Sequence, residues 1–207
     1  MGSVWTIVVA AGAGQRYGGA KQYERLGDRR VIDWSLDTAA AATDGVVAVV
    51  AEAAPVEGVA DHTVTGGATR SASVRAGLAA VPEGAEVIVV HDAARPLASS
   101  GLFAAVIGAV RDGADAALPG LPVTDTIRHR AGDTVDRDEL VAVQTPQAFA
   151  AGRLRAVHAL EPEATDDASL IEAAGGTVVV VAGEPRNAKI TSPDDLVVAA
   201  ALLGAPA

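Results

Sequence analysis

Short runs of apolar, mostly β-branched residues alternate along this chain with longer, alanine-rich amphipathic runs. The short runs predict buried strands, and they cover Val4–Ala10, Gly45–Ala51, Glu86–His91 and Thr177–Ala182. The longer runs predict helices, and they cover Val31–Ala42, Ala68–Ala80, Gly101–Asp112, Asp166–Ala174 and Pro193–Leu203, the last capped by Ser192. This alternation predicts an α/β fold with a mostly parallel sheet covered by helices on both faces. In such a fold, ligands bind at the carboxyl ends of the strands.

Composition narrows the class of protein further. Half of the 207 residues are hydrophobic and only 3% are aromatic, so the chain is predicted to form a single domain over 1–207 with an aliphatic core. The net charge of −10 and the few aromatic side chains argue against a nucleic-acid partner. The chain has no cysteine, no cationic signal-peptide region at its start and no apolar run of about 20 residues. We therefore expect a cytoplasmic protein without membrane association.

One polar segment, 122–143, interrupts the alternation and is called the arm segment below. It is rich in β-branched residues, and Ala131-Gly132-Asp133 supplies a turn signal near its middle. We interpret it as a β-hairpin that projects from the sheet. Its apolar residues are too few for a core of its own, so it is either a solvated flap or, as we favour, an arm that packs on a second subunit.

The first predicted strand runs into a glycine-rich loop, Ala10-Ala11-Gly12-Ala13-Gly14-Gln15-Arg16. Small residues after a strand allow backbone N–H groups to approach phosphates closely. The dinucleotide fingerprint fails because Tyr17 replaces its third glycine, and the P-loop pattern fails at Gly19-Ala20-Lys21-Gln22. We therefore predict an anion-binding loop of another kind, carrying Arg16 and Lys21, rather than an ordinary strand–helix turn.

Lysine is rare in this chain: only Lys21 and Lys189 occur among the 16 basic residues. Both lie in stretches of polar, loop-forming residues. A flexible ammonium can follow a phosphoryl group in a way that a planar guanidinium does not. We predict that both lysines contact phosphate. The alternative is that chance or solubility explains why lysine occurs at these two positions.

A second glycine-containing stretch, Gly66 to Arg75, leads into a predicted helix. Paired glycines followed by hydroxyl groups at a helix N-terminus suit contacts to a nucleotide through backbone groups. Helix capping explains the same residues equally well, so both interpretations stay open here.

The strand that ends at His91 is followed by Asp92-Ala93-Ala94-Arg95-Pro96. A carboxylate at the end of a strand, in a protein expected to hold phosphates, predicts a Mg²⁺ ligand at Asp92. Arg95 can donate two parallel hydrogen bonds to a phosphate. The alternative is an Asp–Arg ion pair that closes a loop. His91 is interpreted as structural, and four histidines without paired spacing argue against zinc.

Three further polar groups and one acidic stretch complete the set. The polar groups are Asp136-Arg137, Gln144 to Gln147 and Asn187 to Thr191, while Thr165-Asp166-Asp167 is interpreted as a helix N-terminus. One aspartate with several cations and a glycine-rich loop suits phosphoryl or nucleotidyl transfer, which depends on in-line positioning and neutralised phosphate charge.

Together these motifs resemble a known family. In order along the chain they are Ala10-Ala11-Gly12-x-Gly14-x-Arg16 with Lys21-Gln22, Gly66-Gly67, Arg70, Ser73-Val74, His91 to Pro96, Asp125-Thr126, Gln144 to Gln147 and Lys189-Ile190-Thr191. This ordered set is similar to the 2-C-methyl-D-erythritol 4-phosphate cytidylyltransferases of the non-mevalonate isoprenoid pathway. The resemblance implies a Rossmann-like fold of the nucleotidyltransferase type and a homodimer.

The resemblance also implies a reaction, in which CTP and methylerythritol phosphate give a CDP-alcohol and pyrophosphate with Mg²⁺ as cofactor. The implied nucleotide-binding residues are Ala10, Ala11, Gly12, Gly14, Gly67 and Ser73. Arg16, Lys21 and Asp92 are the implied catalytic residues, and Asp92 also organises the metal. The implied acceptor-binding residues are Arg95, Thr126, Arg137, Thr145 and Lys189. Because arms are exchanged in the family's homodimers, Thr126 and Arg137 are expected to act in the partner's site.

The chain departs from the family pattern around Lys21. Ala20 stands where a proline often precedes the loop lysine, and the stretch from Arg16 to Lys21 is shorter than in many members. Position 68 is alanine where some members carry an acidic residue. The reach of Lys21 towards phosphate therefore depends on its long side chain.

Two alternatives to this function stay open. Ribitol-5-phosphate cytidylyltransferases share the fold and nearly the same motifs, so the sequence does not decide the acceptor. A nucleotide-sensing protein that has lost catalysis belongs to another class, and the presence of Lys21, Asp92, Arg137 and Lys189 argues against it. The failed dinucleotide fingerprint disfavours a dehydrogenase.

Overall fold

The computed structural model describes residues 2–14, 16–51 and 59–204. Gln15 of the glycine-rich loop lies outside the described residues. The described strands are β1 Ser3–Ala10, β2 Arg25–Leu26, β3 Arg29–Arg30, β4 Gly45–Val50, β5 His62–Thr65, β6 Ala85–Asp92, β7 Ala116–Pro122, β8 Ile127–Arg128, β9 Thr134–Val135, β10 Val141–Val143, β11 Gln147–Ala150 and β12 Val178–Ala182. The described α-helices are α1 Val31–Ala42, α2 Arg70–Ala80, α3 Ser100–Arg111, α4 Ala151–His158, α5 Asp167–Ala173 and α6 Pro193–Leu203.

One eight-stranded sheet organises the fold. Seven of its strands follow the order β10-β7-β11-β6-β1-β4-β5, and β12 joins the sheet by pairing with β7. The centre is parallel, because β1 pairs in parallel with both β4 and β6. Strands β10 and β11 are antiparallel to their neighbours. The sheet is thus mixed around a parallel centre and flanked by helices, which confirms the predicted fold class.

Aliphatic side chains fill a core layer on each face of the sheet. Ile7 and Val8 are neighbours in β1 and point to opposite faces, as strand geometry requires. Helices α1 and α3 supply one layer, and α2, α4 and α5 supply the other. Every residue of β4 is buried, which explains its uninterrupted Gly-Val-Val-Ala-Val-Val sequence.

One helix has its predicted cap, and another starts later than predicted. Helix α6 starts at Pro193, and the Ser192 hydroxyl accepts the Asp195 N–H while the Asp195 carboxylate accepts the Ser192 N–H. Helix α2 begins two residues later than predicted, because the Thr69 hydroxyl accepts the Ala72 N–H and so caps the helix.

Two predictions about strands need correction. The strand predicted over Thr177–Ala182 forms as β12, but it is not buried, and Val180 is 50% exposed. It lies at the edge of the sheet, where β7 is its partner. In the arm segment, both ends belong to the main sheet, because Pro122 pairs with Val141. Within the arm segment, a short two-stranded hairpin separate from the main sheet pairs β8 with β9.

Several elements were not predicted. Strands β5, β7 and β11 and helix α4 were missed. Strand β7 contains prolines and a glycine, which favour loops, but neighbours on both sides hold it extended. No described helix is long and apolar enough to cross a membrane.

Candidate active site

A cavity of about 490 Å³ opens where β1 and β6 end side by side. Register places Val9 of β1 next to Asp92 of β6, so the glycine-rich loop leaves the sheet beside that carboxylate. The lining includes ten of the predicted site residues, namely Ala10, Ala11, Gly12, Gly14, Arg16, Lys21, Gly67, Ser73, Asp92 and Lys189. They come together because the carboxyl ends of adjacent parallel strands share one edge of the sheet.

The glycine-rich loop turns sharply at Gly14. Its φ is +63°, and a Cβ there would collide with the Gly19 carbonyl oxygen, so a side chain is excluded. The Gly14 carbonyl accepts N–H groups from Tyr17 at 2.9 Å and Gly18 at 3.0 Å. The loop closes on itself in this way and carries the chain directly to Lys21.

Gln22 bonds the backbone of this loop. It stands with Lys21 in the family motif, but no role was predicted for it. Its side chain is buried, and its amide nitrogen Nε2 donates to the carbonyl oxygens of Ala10 at 2.7 Å and Gly12 at 3.2 Å. A polar side chain directly after the loop lysine was the available signal. Gln22 thereby fixes the backbone that the prediction assigned to nucleotide binding.

Lys21 reaches the cavity despite the short stretch before it. It begins a 3₁₀ turn, Lys21–Tyr23, and lines the same cavity as Arg16 and Lys189. Burial lowers the pKa of Lys21, and the positive charges of Lys189 and Arg16 lower it further. Bound phosphate would relieve this repulsion between cations.

Asp92 carries negative charge in the middle of these cations. The Lys189 ammonium lies 2.6 Å from the carboxylate oxygen Oδ2. Burial raises the pKa of Asp92, but Lys189 and Arg70 outweigh burial, so the pKa is below its ordinary value. The ion pair is therefore formed with Lys189, which lies 97 residues away, rather than with the nearby Arg95.

A Mg²⁺ ion fits this donor set only in company with a ligand. Among the described residues no cluster of three or more His, Cys, Asp or Glu side chains is present, so the protein offers one carboxylate. Mg²⁺ commonly binds through one or two carboxylates together with substrate phosphates and water. Lys189 is bonded to Oδ2 of Asp92, and Asp92 is the residue that would hold such an ion together with a phosphate ligand.

Thr145 and Arg95 lie behind the cavity wall rather than in its lining. The Thr145 hydroxyl accepts the Asp92 N–H at 3.0 Å and lies 3.1 Å from Nδ1 of His91. Burial lowers the pKa of His91 to about 4, so its ring is neutral at pH 7, in keeping with its predicted structural role. The Arg95 guanidinium donates to the carbonyl oxygens of Asn187 at 2.8 Å and Val143 at 3.3 Å.

Asn187 joins Thr145 to the Lys189 segment and was predicted only as part of a loop. It is fully buried, and its amide nitrogen Nδ2 donates to the Thr145 carbonyl oxygen at 2.9 Å. On the other side of Lys189, the Ile190 N–H donates to the Ala94 carbonyl oxygen at 2.8 Å. These bonds hold Lys189 opposite Asp92.

Thr126 and Arg137 are exposed on the arm segment and do not line the cavity of their own chain. Arg137 donates to the Thr124 carbonyl oxygen at 2.6 Å, a contact within the arm segment itself. The structure therefore brings together the predicted nucleotide residues and Lys189, and leaves these two acceptor residues apart.

The start of α2 forms the other wall of the cavity. Gly67 packs so tightly on Ala72 that a Cβ at position 67 would collide with it. The Ser73 hydroxyl donates to the Thr69 carbonyl oxygen at 2.9 Å. Thr69 and Arg70 also line the cavity, although neither was predicted as a site residue.

Comparison with known proteins decides the family. The 2-C-methyl-D-erythritol 4-phosphate cytidylyltransferase (IspD) family matches residues 4–205. The chain belongs to this family. The family resemblance found in the sequence motifs is thereby confirmed.

Individual members of the IspD family show the same relationship. A 2-C-methyl-D-erythritol 4-phosphate cytidylyltransferase of Nocardia farcinica is 43% identical and covers 98% of this chain and 94% of its own length. The crystal structure of the cytidylyltransferase of that name from Thermus thermophilus superposes with a TM-score of 0.85 at 38% identity, covering 98% of both chains.

Other relatives are longer than this chain. A bifunctional enzyme IspD/IspF from Dinoroseobacter shibae is 45% identical over 97% of this chain but only 54% of its own length. The chain thus spans about half the length of the bifunctional relatives it matches.

Proposed function

We propose that the protein is a CTP-dependent cytidylyltransferase that converts 2-C-methyl-D-erythritol 4-phosphate to 4-diphosphocytidyl-2-C-methyl-D-erythritol and pyrophosphate, for isoprenoid precursor synthesis. One observation carries the proposal. In a chain of this family, a single cavity places a glycine-rich loop, four cations and one carboxylate at the ends of two parallel strands. That arrangement suits a triphosphate and a second phosphate.

The proposed reaction is an in-line displacement at phosphorus. A phosphate oxygen of the acceptor attacks the α-phosphorus of CTP, and the bond to the oxygen that bridges to the β-phosphate breaks. The electron pair of that bond leaves with pyrophosphate, so the protein needs to move no proton. Its contribution is positioning and electrostatic stabilisation.

Arg16 and Lys21 are proposed to stabilise the charge that develops on the phosphates. Both line the cavity with Lys189, and their mutual repulsion is part of the reason that the pKa of Lys21 is lowered. Cations held close together before the nucleotide arrives provide an electrostatic field that need not reorganise during the reaction. The amides of the loop from Ala10 to Gly14 are proposed to hold the nucleotide.

Mg²⁺ is the proposed cofactor, and Asp92 would hold it together with the nucleotide phosphates. A bound Mg²⁺ neutralises phosphate charge and orients the triphosphate. The low pKa of Asp92, caused by Lys189 and Arg70 against the effect of burial, keeps the carboxylate ionised for this role. The Thr145 hydroxyl fixes the Asp92 backbone and so the carboxylate's position.

The acceptor site is proposed to be shared between two subunits. Thr126 and Arg137 lie on the exposed arm segment, and Lys189 lies in the cavity. A homodimer that exchanges arm segments would bring the first two residues to the partner's Lys189. Arg95 and Thr145 act in this proposal through the segments they hold rather than by touching phosphate. The single-domain organisation over 1–207 and the cytoplasmic location stay predictions.

The decisive experiment measures pyrophosphate release from the purified protein with CTP and Mg²⁺. We expect release with methylerythritol phosphate and none with ribitol 5-phosphate. Release only with ribitol 5-phosphate would keep the chemistry and replace the acceptor. If the protein binds CTP but releases no pyrophosphate with either acceptor, the nucleotide-sensing alternative is supported instead. Omitting Mg²⁺, with EDTA present, tests the cofactor separately.

A further inference from the structure

A buried ionic network reaches the nucleotide cavity from outside. Asp167, the first residue of α5, has a side chain that is only 1% exposed. Its oxygen Oδ2 lies 2.6 Å from Nη1 of Arg70, and its oxygen Oδ1 lies 2.9 Å from Nε2 of His158. The two oxygens of one buried carboxylate thus bond different partners, an arginine that lines the cavity and a buried histidine.

Arg70 is the member of this network that faces the cavity. It is the first residue of α2 and lines the cavity beside Thr69 and Ser73. Its positive charge also contributes to lowering the pKa of Asp92. Among the described residues, only Asp167 accepts a hydrogen bond from the Arg70 guanidinium. The Arg70 side chain is 25% exposed, so its other guanidinium donors are open to water or to a ligand.

The network is held in place by the backbone around it. The Ser71 hydroxyl is 3.0 Å from both the carbonyl oxygen and the N–H of Ala164. Arg75 donates to the Pro162 carbonyl oxygen at 2.8 Å. These bonds tie the start of α2 to the segment before α5, the helix that carries Asp167.

Burying a carboxylate costs free energy unless partners with good geometry satisfy its oxygens, as Arg70 and His158 do here. Arginine has a long side chain with many rotamers, and holding it in one of them before a ligand binds lowers the entropy cost of binding. We propose that Asp167, supported by His158, is a positioning residue that holds the Arg70 guanidinium towards the bound nucleotide. This inference rests on the proposed function, because the ligand in question is CTP.

The test is a double-mutant cycle on CTP affinity, measured by calorimetry without acceptor, together with steady-state kinetics. Asp167→Asn and Arg70→Gln should each weaken CTP binding about tenfold, as expected for the loss of a hydrogen bond to a charged group. The double variant should bind within about twofold of Arg70→Gln, because Asp167 acts through Arg70. The KM for the acceptor should change less than about twofold in Asp167→Asn.

Asp115→Asn is the matched control. Asp115 also bonds an arginine, Arg153 at 2.8 Å, and a backbone N–H, Thr177 at 2.9 Å, but it does not line the cavity. We expect unchanged CTP affinity in this variant. If Asp167→Asn does not fold, His158→Leu replaces it in the cycle, with an expected loss of about threefold.

The outcomes separate this inference from the proposed function. Wild-type pyrophosphate release with unchanged CTP affinity in folded Asp167→Asn or His158→Leu would overturn the inference alone. Additive losses in the double variant would do the same. Suppose that the wild-type protein binds CTP without turnover and the double-mutant cycle on CTP affinity gives the expected values. This outcome would overturn the proposed reaction and support the positioning role. A wild-type protein that does not bind CTP would overturn both.

Discussion

The cavity of the candidate active site, called the nucleotide cavity after its proposed ligand, and the arm segment are built in opposite ways. The cavity residues are tied together by long-range contacts, such as Lys189 with Asp92 and Thr145 with Asp92. The arm segment is exposed, and the bonds of Arg128 and Arg137 stay within it. Contacts within one chain therefore set the geometry of the cavity.

The difference indicates how the two halves of the proposed site become complete. The nucleotide half already has its loop, cations and carboxylate in one cavity. The acceptor half has Lys189 in place, while Thr126 and Arg137 are exposed. A second subunit would supply what one chain leaves apart, and each prediction below tests one side of this contrast.

Lys21→Ala should have the largest effect. We expect turnover to fall about 10²- to 10³-fold, since a preorganised charge at the phosphates would be lost. The measurement is pyrophosphate release at saturating CTP and acceptor. Arg111→Ala is the matched control, because Arg111 contacts Gly2 and Glu86 away from the cavity. Near-wild-type turnover of Lys21→Ala would refute its catalytic role.

Arg137→Ala tests the arm segment. We expect acceptor-dependent turnover to fall at least tenfold while CTP affinity stays unchanged, because Arg137 lies outside the nucleotide cavity. Mixing Arg137→Ala with Lys21→Ala subunits should restore about a quarter of wild-type activity, since half of random dimers would contain one intact site. No recovery despite demonstrated subunit exchange would favour an arm segment that serves its own chain.

Asp167→Asn should lower the free energy of unfolding by about 3 kcal/mol at pH 7, because it breaks a buried ion pair. Burial raises the pKa of Asp167, but the His158 hydrogen bond and the Arg70 charge lower it overall. The carboxylate therefore stabilises the fold above its unfolded pKa of about 4 and loses this effect as pH falls through the folded value.

Urea unfolding at several pH values checks this prediction. The stability difference between wild type and Asp167→Asn should shrink as the pH falls below about 4. Asp112→Asn, at an exposed position, should stay within about 0.5 kcal/mol of wild type throughout. A difference that does not depend on pH would show that the charge of Asp167 is not the cause.

Gln22→Ala should have the smallest effect. It removes the bonds to the Ala10 and Gly12 carbonyl oxygens, so we expect a loss of about 1 kcal/mol in stability and about a threefold rise in the KM for CTP. Gln147→Ala, which removes another buried amide, should lower stability without changing the KM for CTP. Equal effects of both variants on the KM would argue against a role in holding the loop.

Much of the fold could be predicted because its signals are local. Helices α1 and α6 have the predicted bounds, and β1 and β4 come within one residue of theirs. Their apolar patterns lie within the segments themselves, and the cap of α6, Ser192, is the residue directly before that helix. Strand β5 was missed because it is a short, polar sequence, His-Thr-Val-Thr, that is extended through pairing with β4.

For the candidate site, the sequence by itself determined which residue types were available: a glycine-rich loop, two rare lysines and one aspartate at a strand end. Small side chains and strand ends are readable along the chain, and ten predicted residues do line one cavity. Only the tertiary structure decided which partners they have. The two ion pairs, Lys189 with Asp92 and Arg70 with Asp167, each join residues that are 97 positions apart. The Thr145 hydroxyl accepts the Asp92 N–H and does not line the cavity. Such pairs depend on how β6, α2 and α5 pack, which no local pattern records.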